Sequence, residues 1–289
     1  MTTSRLTLPT DLRARVLAAS AAARPPGRVS GEVPAITPAE AFRRAGDALA
    51  DLLGQLDPGQ WHLPVLRDLD VQGLTGHLLG VERDVHRALA GDDDVAEADH
   101  VGSTQSAALD EAGRAPQQTL AAWRAAVAET LTLVARGSDD RAPVALHGLR
   151  LPTGPLLVVR AFELWTHEND IRSAAGLPQR DPEPPVLQLM TALAVQALPQ
   201  GVRRAGTHSG TLDLHLVLTG PGGGTWDLRL AADDGTDRSV PEVVIIADGV
   251  GFCRLVANRA SPGEVVLQVS GATDAAPDVL AGAAALALD

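Results

Sequence analysis

The 289-residue sequence contains no lysine and no tyrosine, and its single cysteine is Cys253. All 24 basic residues are therefore arginine. Without lysine there is no Schiff-base amine and no P-loop lysine; without tyrosine there is no phenolic acid or base. One cysteine cannot form an internal disulfide or a multi-cysteine zinc ribbon. Long apolar runs are missing too, since none approaches the roughly 18 residues that would span a bilayer. Pro9, Asp11, Arg13 and Arg15 stand where a signal peptide would be apolar. Positive charge is outweighed by 36 acidic residues, for a net charge of −12. No basic stripe is present to neutralise phosphates or to dock on an anionic surface, so neither nucleic acid nor a membrane is an expected partner. The expectation is a soluble, cytoplasmic protein whose chemistry uses His, Asp, Glu, Arg, Ser or Thr, a metal, or a borrowed group.

What is present is ordinary globular material: 45% hydrophobic and 21% charged residues, close to the averages for folded domains. Residues 1–36 read as an N-terminal extension with a short helix over Thr10–Leu17, broken by Pro25-Pro26. Thr37-Pro38-Ala39-Glu40 is a capping box with proline at the first helical position, and opens about 140 residues of helical periodicity. Helices are expected over about 37–56, 71–89, 104–135 (interrupted near Gly113 and Pro116) and 153–176. Four helices with connections of moderate length imply an antiparallel four-helix bundle over 37–177. After the proline-rich stretch 178–185 comes a helix over about 186–198, and then the period changes. Leu212, Leu214, Leu216 and Leu218 alternate with other residues, Gly220-Pro221-Gly222-Gly223-Gly224 turns, and Trp226–Leu230 returns. Further strands are expected at 243–247 and 264–269, with helices near 252–257 and 281–287. The fold class is thus α+β: a bundle followed by a smaller α+β domain over 183–289.

The fourth helix carries the sharpest chemical signal. Glu163 and His167 lie four residues apart inside a strongly apolar run, about 40° from one another around the axis, with Asp170 three further along the same side. A buried carboxylate needs a cation. That cation is either a neighbouring arginine, Arg160 or Arg172, or a metal ion. On the second helix His77 sits on an apolar stripe, flanked by Gly76 and Gly80. It is either a satisfied core histidine or a ligand, and facing bundle helices can bring it to the other two. Together His77, Glu163 and His167 make a His₂Glu set with an open position, the arrangement of catalytic zinc sites. His86 is half a turn away from His77 and points elsewhere. His62, His100, His147, His208 and His215 fall in loops, turns or a strand and share no spacing with these three. Cys253 reads as a small buried hydrophobe, the Gly220–Gly224 run as a hairpin turn, and Asp92-Asp93-Asp94 as a solvated loop.

The helix bearing His77, preceded by Trp61 and Pro64 and followed later by Glu163-x-x-x-His167-x-x-Asp170, resembles the mycothiol-dependent maleylpyruvate isomerase family. The resemblance runs over about residues 38–289, because Phe252-Cys253-Arg254-Leu255 through Arg259 is similar to that family's sterol-carrier-like C-terminal domain. It implies a DinB-like bundle in which His77, Glu163 and His167 hold zinc. The open position would receive the thiolate of a low-molecular-weight thiol such as mycothiol, used for isomerisation or S-transfer on a small electrophilic substrate. Asp170 would orient His167, and Arg83 is a candidate for binding a substrate carboxylate. Nickel, iron or manganese could occupy the same ligand set. Two alternatives stand beside this reading. One is a non-catalytic metal- or ligand-binding protein; the other is a metal hydrolase with Glu82 or Asp84 as base. The expected state is a monomer or small homo-oligomer.

Overall fold

The computed structural model describes residues 33–137, 143–206, 210–230 and 242–287. The expected extension and its helix at Thr10–Leu17 lie outside the described residues. The chain divides into two compact units, Pro34–Leu193 and Ala194–Ala287.

Helix α1 (Pro38–Gln55) begins where the capping signal places it: the Thr37 side chain accepts from Glu40 N at 3.1 Å. Only half of the box forms, because the Glu40 carboxylate turns to Arg43 and Arg44 instead. A hairpin of β1 (Pro64–Leu66) and β2 (Leu69–Asp70) leads into α2 (Val71–Leu89), capped by Asp70 on Gly73 N. The third helical stretch, expected to be interrupted near Gly113 and Pro116, is two helices, α3 (His100–Glu111) and α4 (Pro116–Arg136). The break falls at Gly113 to Ala115, where proline at the first position of α4 cannot continue the preceding helix. A second hairpin, β3 (Pro143–Leu146) with β4 (Leu149–Pro152), leads into α5 (Thr153–Ala174). Its turn residues His147 (φ 49°) and Gly148 (φ 75°) are both left-handed, the conformation of a tight type I′ hairpin turn.

In the bundle, α1 packs on α5 and α2 packs on α3 and α4. The α2–α3 contact is unusually close. A Cβ on Gly76 would stand 2.9 Å from Ala107 O, and one on Gly80 would stand 3.0 Å from the Thr104 side chain. These two glycines, one turn apart, let α3 lie against the face of α2 that carries His77. Gln72, fully buried, donates to Glu111 O and Arg114 O and so pins the α3–α4 connection.

Helix α6 (Pro184–Ala205) runs past Pro199, further than the periodicity implies, and the boundary between the two units falls inside it. The second unit holds a four-stranded sheet in the order β6-β5-β7-β8. Strands β5 (Leu212–Thr219) and β6 (Gly224–Leu230) are antiparallel, β5 and β7 (Glu242–Asp248) parallel, and β7 and β8 (Val266–Gly271) antiparallel. The alternating leucines Leu212, Leu214, Leu216 and Leu218 are all buried, as the period of two demands. Strand β8 starts two residues later than expected, because Ser261 and Glu264 form a capping box that winds Pro262–Val265 into one helical turn. Helix α7 (Gly249–Val256) is capped by Asp248, and α8 (Ala276–Ala284) closes the unit. Cys253 is free and buried on α7, and burial pushes its thiol well above the usual range. No helix among the described residues is long and apolar enough to cross a membrane.

Candidate metal centre

The bundle brings His77 of α2 against Glu163 and His167 of α5. One ligand atom from each of the three falls within 4.8 Å of the others. His77 and His167 are 3% and 1% exposed, with ring centroids 5.9 Å apart. His77 Nε2 stands 3.6 Å from Glu163 Oε1, beyond hydrogen-bond length.

Both imidazoles are fixed from behind. The Thr104 hydroxyl donates to His100 O at 2.9 Å. Its oxygen, 2.6 Å from His77 Nδ1, is therefore left to accept from that ring. On α5, His167 Nδ1 lies 3.0 Å from Asp170 Oδ2, an acceptor when ionised. In each ring the proton is placed on Nδ1 and the lone pair on Nε2, the state a metal-binding imidazole needs. His167 Nε2 and Glu163 Oε1 are buried and have no hydrogen-bond partner. Unpartnered buried polar atoms are costly, and here they converge. Two bare imidazole nitrogens and a carboxylate oxygen are the donor set zinc takes, so the residues fit a divalent cation.

The other carboxylate oxygen answers the question of the cation. Arg160, 1% exposed, pairs with Glu163 Oε2 one turn away and with Glu82 Oε1 at 2.8 Å on α2. Glu82 also accepts from Thr130 at 2.6 Å. Burial alone would raise the Glu163 carboxyl; Arg160, His100 and His77 outweigh it and hold the group well below the usual carboxylate range. Of the two arrangements left open by the sequence, the arginine pair is formed, with Arg160 on one oxygen of Glu163, while the other oxygen faces the candidate ligands His77 and His167. Arg172 pairs with Glu168 instead.

Arg83 is exposed and about 240° around α2 from His77, so the structure does not bring it to the cluster. His86 does point elsewhere, to Ala126 O and Thr130 on α4. Two histidines that share no spacing with the set lie beside it all the same. His100, the first residue of α3, has its ring 5.1 Å from that of His77 and its Nε2 3.6 Å from Glu163 Oε1. Burial pushes its pKa down to about 4, against the opposing pull of Glu163. Behind it stands His147, its Nδ1 3.0 Å from His100 Nδ1 and its Nε2 3.0 Å from Asp84 Oδ2. No helical or strand spacing connects these residues. The available signals were the Asp99 cap that starts α3 on His100 and the His147-Gly148 turn. The remaining histidines lie apart: His62 is near Asp70, His215 bonds Asp227, and His208 is outside the described residues.

Comparison with known proteins agrees with this architecture. Residues 42–172 match the family described as the mycothiol maleylpyruvate isomerase N-terminal domain. The fold is similar to the crystal structure of the mycothiol-dependent maleylpyruvate isomerase, with a TM-score of 0.56 at 18% identity over 82% of this chain and 92% of that one. A histidine-to-alanine mutant of that enzyme matches at a TM-score of 0.54 and 16% identity, with the same coverage. No curated protein matches the sequence. The likeness to the mycothiol maleylpyruvate isomerase N-terminal domain family thus rests on the bundle at residues 42–172.

Proposed function

We propose that this protein is a metal-dependent enzyme that uses a low-molecular-weight thiol such as mycothiol for isomerisation or S-transfer on a small electrophilic substrate. His77, Glu163 and His167 hold zinc or another divalent cation. The observation that carries this reading is the convergence of the buried, unpartnered His167 Nε2 and Glu163 Oε1 with His77 Nε2. The structurally similar enzyme is named for an isomerisation that depends on mycothiol, and a chain with one inert cysteine must import its sulfur. When bound, the cation supplies Lewis acidity that lowers the pKa of a coordinating thiol.

The protein's own groups prepare that position. Thr104 and Asp170 hold the two imidazoles with their Nε2 lone pairs inward. Arg160 keeps Glu163 ionised while leaving Oε1 uncommitted. The hydrolase alternative lacks a free base, since Glu82 is tied to Arg160 and Thr130 and Asp84 to His147. The enzyme acts in the cytoplasm, as a monomer or small homo-oligomer, on small molecules.

Elemental analysis of the purified protein, followed by calorimetric titration with mycothiol, tests this. About one equivalent of divalent metal is expected, lost together with mycothiol binding in His77→Ala and Glu163→Ala. Full metal content in a variant lacking all three ligands overturns the reading. A protein that turns over no thiol adduct and is stabilised only by an apolar ligand would instead be a binding protein.

A further inference from the structure

Behind the three-residue cluster runs a hydrogen-bonded chain that metal ligation alone does not require. His147 is clamped at the tip of the β3–β4 hairpin: its own N–H donates to Val95 O at 2.9 Å, and the next, Gly148 N, to Ala96 O at 2.7 Å. Its ring is 3% exposed and joins Asp84 of α2 to His100 of α3. The Asp84 carboxyl, 9% exposed, is held below its usual range: burial opposes this, and hydrogen bonds from His147 and Ser103 prevail.

The distances restrict the order of donors and acceptors. An ionised Asp84 only accepts, so the proton at His147 Nε2 lies between it and Asp84 Oδ2, with the Ser103 hydroxyl oxygen 3.2 Å away on the same nitrogen. The two Nδ1 atoms 3.0 Å apart cannot both carry a proton, for two N–H donors would face one another. When His147 carries a single proton, on Nε2, its Nδ1 is the acceptor and His100 Nδ1–H the donor. His100 Nε2 is then bare, and it faces Glu163 Oε1 at 3.6 Å. Two acceptors do not attract, so neither satisfies the other. A hydrogen carried between them by a ligand would.

We propose that Asp84 and His147 are positioning residues that lock His100 in the tautomer with a bare Nε2, making His100 the hydrogen-bond acceptor for the S–H or O–H group of the small molecule that enters the centre. This role rests on the reading of the centre as a thiol site, and deepens it: three helices rather than two face the thiol, and the third contributes specificity without ligating the metal. It also assigns a use to the α2–α3 close approach, since a wider gap would withdraw both Thr104 and His100.

Long-range proton–nitrogen NMR of the full-length, metal-free protein, ¹⁵N-labelled at histidine, reads the tautomers directly. The expected result is a bare Nε2 on His100 and a protonated Nε2 on His147, with His100 losing its single tautomer in His147→Phe. A protonated His100 Nε2 in the wild type overturns the proposal. A second measurement uses the zinc-loaded protein and mycothiol as the probe. His100→Phe should retain one zinc and bind mycothiol up to about tenfold more weakly, the worth of one hydrogen bond. Unchanged mycothiol affinity with full zinc also overturns it. A wild type that binds neither zinc nor mycothiol refutes the metal centre and the acceptor role that rests on it, while the tautomers still decide the hydrogen-bonded chain.

Discussion

The bundle unit and the sheet unit bury different things. Among the described residues, Thr225 is the only buried polar side chain that the sheet unit contributes. The bundle unit buries Gln72, His77, Glu82, Asp84, His100, Thr104, Glu111, Thr130, Arg160, His167 and others. Its long helices therefore enclose a polar interior, whereas the sheet packs Leu212, Leu214, Leu216, Leu218, Val243 and Ile245 in an ordinary apolar layer. Burying ionised groups costs several kcal/mol each unless they are paired and hydrogen-bonded. A domain that keeps so many of them gives up stability that an apolar core would supply, and it keeps them where the candidate ligands converge. The sheet unit's core is apolar, while the bundle unit's core carries the candidate ligands.

That contrast can be broken by substitution. The largest effect is expected from Arg160→Met, which leaves Glu82 and one oxygen of Glu163 buried without their cation. Removing one partner of a buried pair costs about 3–5 kcal/mol, so urea denaturation of the metal-free variant should show a loss of that order. A neutral result would mean that both carboxyls accept protons or water at no cost. Next comes Leu216→Ala in the sheet, expected to cost roughly 2–5 kcal/mol through lost burial and a cavity. Its zinc content should not change. Loss of metal in this variant would show that the two units do not divide their roles as described. The smallest effect is at Asp170→Ala, where the orienting bond to His167 is lost. Zinc affinity should fall about 10–100-fold, read by competition with a chromophoric chelator, and an unchanged affinity would remove Asp170 from the centre.

How much of this was readable from the sequence depends on the distance over which each signal acts. Thr37, Pro116 and Gly176 mark helix ends through local backbone chemistry, and the ends fall close to them. The break between α3 and α4 was legible for the same reason. The hairpins at 64–70 and 143–152 were not: strands of two to four residues show no usable alternation, and Arg67 and His147 enter left-handed conformations that their residue types do not announce. In the candidate centre, helical spacing put Glu163, His167 and Asp170 on one face. His77 needed the added premise of facing helices. Arg83, the candidate for a substrate carboxylate, is carried to the exposed side by six residues of helix from His77.

The sequence by itself settled the inventory and the short-range order. It holds no lysine or tyrosine, one cysteine with no partner in the chain, a carboxylate and an imidazole one helical turn apart, and a leucine alternation that can only be a half-buried strand. Periodicity encodes those relations because they lie within one element. Only the tertiary structure decided what stands behind them. Arg160 reaches Glu82 across 78 residues, His147 reaches Asp84 across 63, and His100 is brought in by two glycines that let one helix touch another. Such contacts depend on which faces pack and how closely, and no spacing along the chain records that.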